Sequence, residues 1–150
     1  MIQRAPVAYL DDYFARQRTI REAPVAPPSG TDLRMQALTE RIERAAKLRI
    51  DWDSYGAPGP SDGVIAWTRR ALNLTLSLRA LPATIVPSAD GGLALCWDLG
   101  DKHAYIEFDN NGTAVVAMYR GVNEPIVREL IPADPWILVE IGHVQQFMRV

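Results

Sequence analysis

Two aspartates two residues apart, Asp51 and Asp53, with Asp62 a short way downstream, are the first groups in this chain that could do chemistry. Carboxylate oxygens are hard ligands, and a loop that carries several of them can hold a divalent cation. No histidine or further ligand accompanies these three acids at metal-site spacing. The competing reading is structural: a loop aspartate accepts backbone N–H bonds and stabilises the turn it sits in. A metal-dependent enzyme built on Asp51 and Asp53 is therefore an alternative, and no cofactor is expected.

Cys96, Asp98 and His103 form the second constellation, of the types used in nucleophilic catalysis. The hairpin predicted below sets Asp98 opposite His103 and Cys96 opposite Tyr105, so the thiol and the imidazole are only diagonal neighbours. No oxyanion donor is evident either. Cys96 reads as an inert thiol among apolar neighbours, and His103 with Asp98 as an exposed cross-strand pair. No catalytic residue is assigned.

The third candidate is basic. Arg41, Arg44, Arg69 and Arg70 could line one strip of a helix pair and contact phosphate. Residues 31–81 carry eight Lys or Arg against six Asp or Glu, whereas residues 82–150 carry four against nine. Glu40 and Glu43 interrupt the strip, and the whole chain has a formal net charge of -2. A nucleic-acid-binding regulator is thus a further alternative, and nucleic acid is not the expected partner.

These groups need elements to position them. Met35, Leu38, Ile42 and Ala45 recur at helical steps after Asp32, a candidate N-cap, and Glu40–Arg44 and Glu43–Lys47 form i,i+4 pairs. Ser61 is the N-cap expected for a second helix, with Val64, Thr68, Ala71, Leu72, Thr75 and Leu78 as its stripe and Pro82 as its stop. Two helices joined by so short a loop most simply lie antiparallel. Asp134 and Pro135 open a closing helix with Ile137, Ile141, Val144 and Met148 on one face.

Beyond Pro82 the period becomes two, over Leu93–Leu99 and over 103–108. With Gly100-Asp101 and Asn111-Gly112 as two-residue hairpin loops, Leu95 pairs with Ile106, Trp97 with Ala104, Phe108 with Val115 and Ile106 with Ala117. Ala94, Cys96, Tyr105, Val116 and Met118 then fall on the opposite face as a moderately apolar patch. Either the closing helix covers it or a partner does. Thr84-Ile85-Val86 adds a strand through the Asp90-Gly91-Gly92 turn, and Ile126-Val127 is a candidate short strand. The expected fold is α+β: an antiparallel helix pair on a three- or four-stranded antiparallel meander, with a C-terminal helix.

The 150 residues suit one domain, 31–150, preceded by an arm over 1–20 and a proline-rich linker over 21–30 that holds Pro24, Pro27 and Pro28. Val7, Leu10, Tyr13 and Phe14 give the arm helical spacing, so it can dock on its own domain or on a neighbour. Cys96 is the sole cysteine, which rules out an intrachain disulfide. No secretory run and no membrane-spanning run is visible, and the expected location is cytoplasmic.

The least generic string is Asp51-Trp52-Asp53-Ser54-Tyr55-Gly56-Ala57-Pro58-Gly59-Pro60, set between the first two helices. Trp52, Asp53, Tyr55, Gly56 and Ala57, with Pro87, Asp90, Gly91, Gly92, Trp97, Asp109 and Gly112 behind them, resemble a family of small uncharacterised bacterial proteins. That resemblance covers residues 48–118 and implies membership of two-gene modules of the toxin–antitoxin or phage-defence kind. It implies no activity. The expectation is a non-enzymatic protein–protein interaction module of antitoxin, immunity or counter-defence type, whose partner is a protein encoded by an adjacent gene, or a second copy of the chain. Trp52, Tyr55, Tyr105, Val116 and Met118 are its candidate contact residues.

Overall fold

The computed structural model describes residues 27–149 of the chain. The arm read over residues 1–20 lies outside the described residues, as does most of the linker. Among the described residues three helices and five strands follow one another as α1 (Gly30–Ala46), α2 (Asp62–Ser77), β1 (Thr84–Pro87), β2 (Leu93–Leu99), β3 (Lys102–Phe108), β4 (Ala114–Arg120), β5 (Ile126–Leu130) and α3 (Asp134–Arg149). The fold is α+β, and its antiparallel sheet runs in chain order from β1 to β5. The sheet therefore has five strands, not three or four, because both Thr84–Pro87 and Ile126–Leu130 join the meander.

Helix α1 begins on Ser29 rather than on Asp32. Ser29 Oγ accepts the Asp32 amide and Asp32 Oδ2 accepts the Ser29 amide, both at 3.1 Å, so the expected cap residue is the third residue of a reciprocal capping box. Ser61 caps α2 as expected, accepting the Val64 amide at 3.2 Å. The start of α1 lies against the end of α2, where Arg34 Nη2 donates to the carbonyls of Leu81 and Pro82. The end of α1 reaches the middle of α2, where Glu43 pairs with Arg69. That arrangement makes the two helices antiparallel.

All three helices lie on one face of the sheet. Leu38 and Ile42 of α1, Val64 and Leu72 of α2, and Ile137, Ile141 and Val144 of α3 form one cluster with Ile85, Leu93, Leu95, Ile106, Phe108 and Val116. Each large side chain buried in this way contributes roughly 1.5–3 kcal/mol against leaving it in water. Trp67 of α2 stacks on Phe108 with ring centroids 6.3 Å apart. Trp97 is anchored as well as buried, since its Nε1 donates to the Ala80 carbonyl at 2.8 Å.

The β2–β3 hairpin has the expected register, with Leu95 opposite Ile106, Trp97 opposite Ala104 and Asp98 opposite His103. The β3–β4 hairpin does not. Phe108 pairs with Ala114, Ile106 with Val116 and Ala104 with Met118, one residue away from the expected pairing. The cause is the turn. Of Asn111 and Gly112 only Gly112 has positive φ (86°), whereas a two-residue type I′ loop needs it at both positions. Asp109 N instead donates to the Thr113 carbonyl at 2.9 Å, and Gly112 N to the Asp109 carbonyl at 3.1 Å, which closes a three-residue loop. A slip of one residue turns every side chain of a strand over. Val116 and Met118 thus point into the core at 1% and 6% exposure, and Val115, Ala117 and Tyr119 take the opposite face.

Candidate functional site

The loop between α1 and α2 is held by its own carboxylates. Asp53 Oδ1 accepts the amides of Tyr55 (2.9 Å) and Ala57 (3.1 Å), and Asp51 Oδ1 accepts the amide of Gly56 at 2.7 Å. Asp51, Ser54 and Gly56 have φ of 66°, 64° and 85°, left-handed conformations that cost a non-glycine residue energy. The side-chain bonds offset that cost. Trp52 is half-buried and donates from Nε1 to the Pro58 carbonyl at 3.0 Å. The loop is therefore a closed clasp, and both aspartates expected as possible metal ligands are committed to backbone amides.

Tyr55 makes the opposite use of this rigidity. Its backbone is fixed by Asp53, yet its side chain is 92% exposed, and the neighbouring Ile50 is 79% exposed. An ordered backbone that presents an aromatic side chain to solvent has already lost much of the entropy that binding would cost.

Three turns meet at this end of the molecule. Asn110, from the β3–β4 loop, accepts the Ser61 amide through Oδ1 at 2.8 Å and donates through Nδ2 to the Gly59 carbonyl at 3.1 Å. Gly91, from the β1–β2 turn, has φ 84°, and a Cβ added to it would lie 2.9 Å from Pro58. The scattered residues Trp52–Ala57, Asp90–Gly92 and Asp109–Gly112 are thus brought to one place. Their spacing in sequence did not show this, because Asp-Gly-Gly and Asn-Asn-Gly each read as ordinary turns. The signal available was Asn110, a turn asparagine whose amide is free to bond elsewhere once Gly112 supplies the positive φ.

Carboxylates crowd beside the Gly91 turn. A Cβ on Gly92 would lie 2.6 Å from Glu107 Oε1 and 2.8 Å from both Asp109 Oδ1 and Ser88 Oγ, so these polar atoms close over the glycine backbone. Burial, then the charge and hydrogen bond of Glu107, then the charge of Asp90 push the Asp109 carboxyl above the usual carboxylate range. Among the described residues no group of three His, Cys, Asp or Glu side chains is placed to hold a metal ion.

The remaining candidates separate. Tyr105 lies on the outer sheet face, but Val116 and Met118 do not join it, which corrects the expected patch. Cys96 sits opposite Tyr105, and burial, followed by the charges of Asp98 and Glu107, pushes its thiol up to about 11, which leaves it protonated and unreactive at neutral pH. His103 Nδ1 lies 2.5 Å from Asp98 Oδ1 and its ring stacks on Tyr119, centroids 5.0 Å apart. In the basic strip, Arg41 and Arg44 are exposed, Arg69 pairs with Glu43 at 2.5 Å, and Arg70 pairs with Asp134. His143 contacts Arg128 Nη2 through Nδ1 at 3.2 Å.

Comparison with protein-family models, with curated proteins and with solved structures finds no match.

Proposed function

We propose that this protein is a non-enzymatic interaction module of antitoxin, immunity or counter-defence type, which binds a partner protein encoded beside it through the convergent loops, with Tyr55 as the anchor. The observation that carries this reading is the exposure of Tyr55, 92%, on a loop whose aspartates are spent on fixing its backbone. Tyrosines that enter a partner already ordered are over-represented among residues that dominate binding energy. Asp90, Glu107 and Asp109 stand at the same end, so the surface favours a partner with basic side chains around an apolar pocket.

The test is co-expression with the product of the adjacent gene, followed by titration of the purified pair. Tyr55→Ala should weaken binding by about tenfold or more, on the scale of an anchor residue, while leaving the melting temperature unchanged. Unchanged affinity would remove the loop from the interface. Tight binding of Mg²⁺, Mn²⁺ or Zn²⁺ that Asp53→Ala abolishes would replace this reading with the metal-dependent enzyme. Steeply salt-dependent binding to random duplex would point to the Arg41, Arg44, Arg69 and Arg70 strip instead.

A further inference from the structure

A cleft of about 350 Å³ opens between the C-terminal half of α3 and the last two strands, and its lining includes Met118, Arg120, Ile126, Arg128, His143 and Phe147. That volume lies at the small end of the range for ligand sites. The cleft follows from the register. Met118 pairs with Ile126 on the inner face, Arg120 lies one row to one side of that pair, and Arg128, opposite Val116, lies one row to the other. Two apolar side chains are thus set between two guanidinium groups. The floor is only partly covered: Met118 is 6% exposed but Ile126 is 55%, and Phe147 of α3 packs against the core beside them.

The two arginines are in different states. Arg128 is spent, because its Nε and Nη2 donate to the Glu140 carboxylate at 3.2 and 2.5 Å and Nη2 also contacts His143 Nδ1 at 3.2 Å. Glu140 is neutralised by the same pairing. Arg120 is held loosely, with its Nε 3.9 Å from Asp101 Oδ1, beyond hydrogen-bond range. Its guanidinium can therefore still offer two parallel N–H groups to a carboxylate. The chain that carries it is already ordered, since the next residue, Gly121, donates its amide to the Asp101 carbonyl at 2.7 Å.

This pairing of groups selects a chemistry. A cation would face an arginine at each end. Inorganic phosphate would answer Arg120 and leave Ile126 and Phe147 in water, whereas a purely apolar molecule would gain nothing from Arg120. A molecule with an apolar body and one acid group uses both. We propose that this cleft binds a small amphipathic carboxylate, its acid group on Arg120 and its apolar body along Met118, Ile126 and Phe147. The site lies at the opposite end of β4 from the Asn110 turn and does not rest on the Tyr55 interface.

The probe is octanoate, titrated into the full-length chain by calorimetry and by NMR, with octan-1-ol and inorganic phosphate as comparisons. Octanoate should saturate at one molecule per chain, shift the Ile126 methyl and Phe147 ring signals, and bind about tenfold more tightly than either comparison, as a charge-assisted bond predicts. Arg120→Met keeps the apolar stem, and should weaken octanoate about tenfold while leaving octan-1-ol unchanged. Ile126→Ser should weaken both. Both side chains are exposed, so the melting temperature of the unliganded variants should match the parent. Tyr55→Ala, which tests the other interface, should leave octanoate binding unchanged. Failure of octanoate to saturate, equal affinity for octanoate and octan-1-ol, or parental octanoate affinity in Arg120→Met would overturn the proposal. Phosphate binding as tightly as octanoate would also overturn it, by reducing Arg120 to a surface anion contact.

Discussion

Asn110 Oδ1 accepts the Ser61 amide at 2.8 Å, joining residues forty-nine positions apart, and the same side chain holds the Gly59 carbonyl through its Nδ2. One turn residue thus locks the interhelical loop to the sheet and also supports the cap of α2. Asn110→Ala removes both bonds at a partly wet site, and should cost ~1–2 kcal/mol. A fall of several degrees in melting temperature is expected, with Tyr55 binding weakened indirectly. Thermal denaturation followed by circular dichroism checks this.

The observed register places two apolar residues of neighbouring strands on opposite faces of the sheet. Met118→Glu places a carboxylate in the core and should cost more than ~3 kcal/mol. Val127→Glu, on the outer face at 56% exposure, should stay within about 0.5 kcal/mol. Urea denaturation of the two variants decides it: equal effects would contradict the pairing of Ala104 with Met118.

Glu107 and Asp109 oppose one another electrostatically. A carboxyl whose pKa is raised in the folded state binds protons more readily there than in the unfolded chain. Its contribution is therefore fully present below the unfolded pKa and is lost as pH rises through the folded value. Glu107→Gln should bring the Asp109 pKa down and make the protein more stable at neutral pH than the parent. The gain should vanish at acid pH, which NMR titration and denaturation across pH would show.

Asp134 behaves in the reverse sense. Its hydrogen bond to Arg70 is the main cause that holds its carboxyl below the usual range, at the start of α3 where a negative charge also suits the helix dipole. Its stabilising effect is present at neutral pH and is lost as pH falls through that lowered value. Arg70→Ala should raise the Asp134 pKa toward ordinary aspartate in an NMR titration, and the pair's exposure means the change in stability will be small.

Much of the architecture was legible in the residue order. Ser61 and the stripes of all three helices read correctly because caps and helical periodicity are local. So did the Gly100-Asp101 hairpin. The β3–β4 register was not legible, because Asn-Gly is compatible both with a two-residue loop and with a longer one. The choice is made by Asn110, whose amide is committed to Gly59 and Ser61 rather than to its own turn. Alternation in Ala114–Arg120 gave no warning, since its residues are apolar on both faces. The convergence of three turns around Tyr55, Gly91 and Asn110 was hidden for a related reason: each turn has a complete local explanation, and only the tertiary fold brings them together.

The strictly sequential order of the five strands also bears on how the chain reaches this state. Every strand finds its partner across a short connection, so little loop-closure entropy opposes the sheet, which can zip outward from the β2–β3 hairpin. Helix α1 must instead find β1 from roughly forty residues away, and separations of that size slow folding. The rate-limiting event expected for this chain is the seating of α1 on an already paired sheet. The bond from Arg34 to Pro82 belongs to that step, so Arg34→Ala should slow folding as well as speed unfolding.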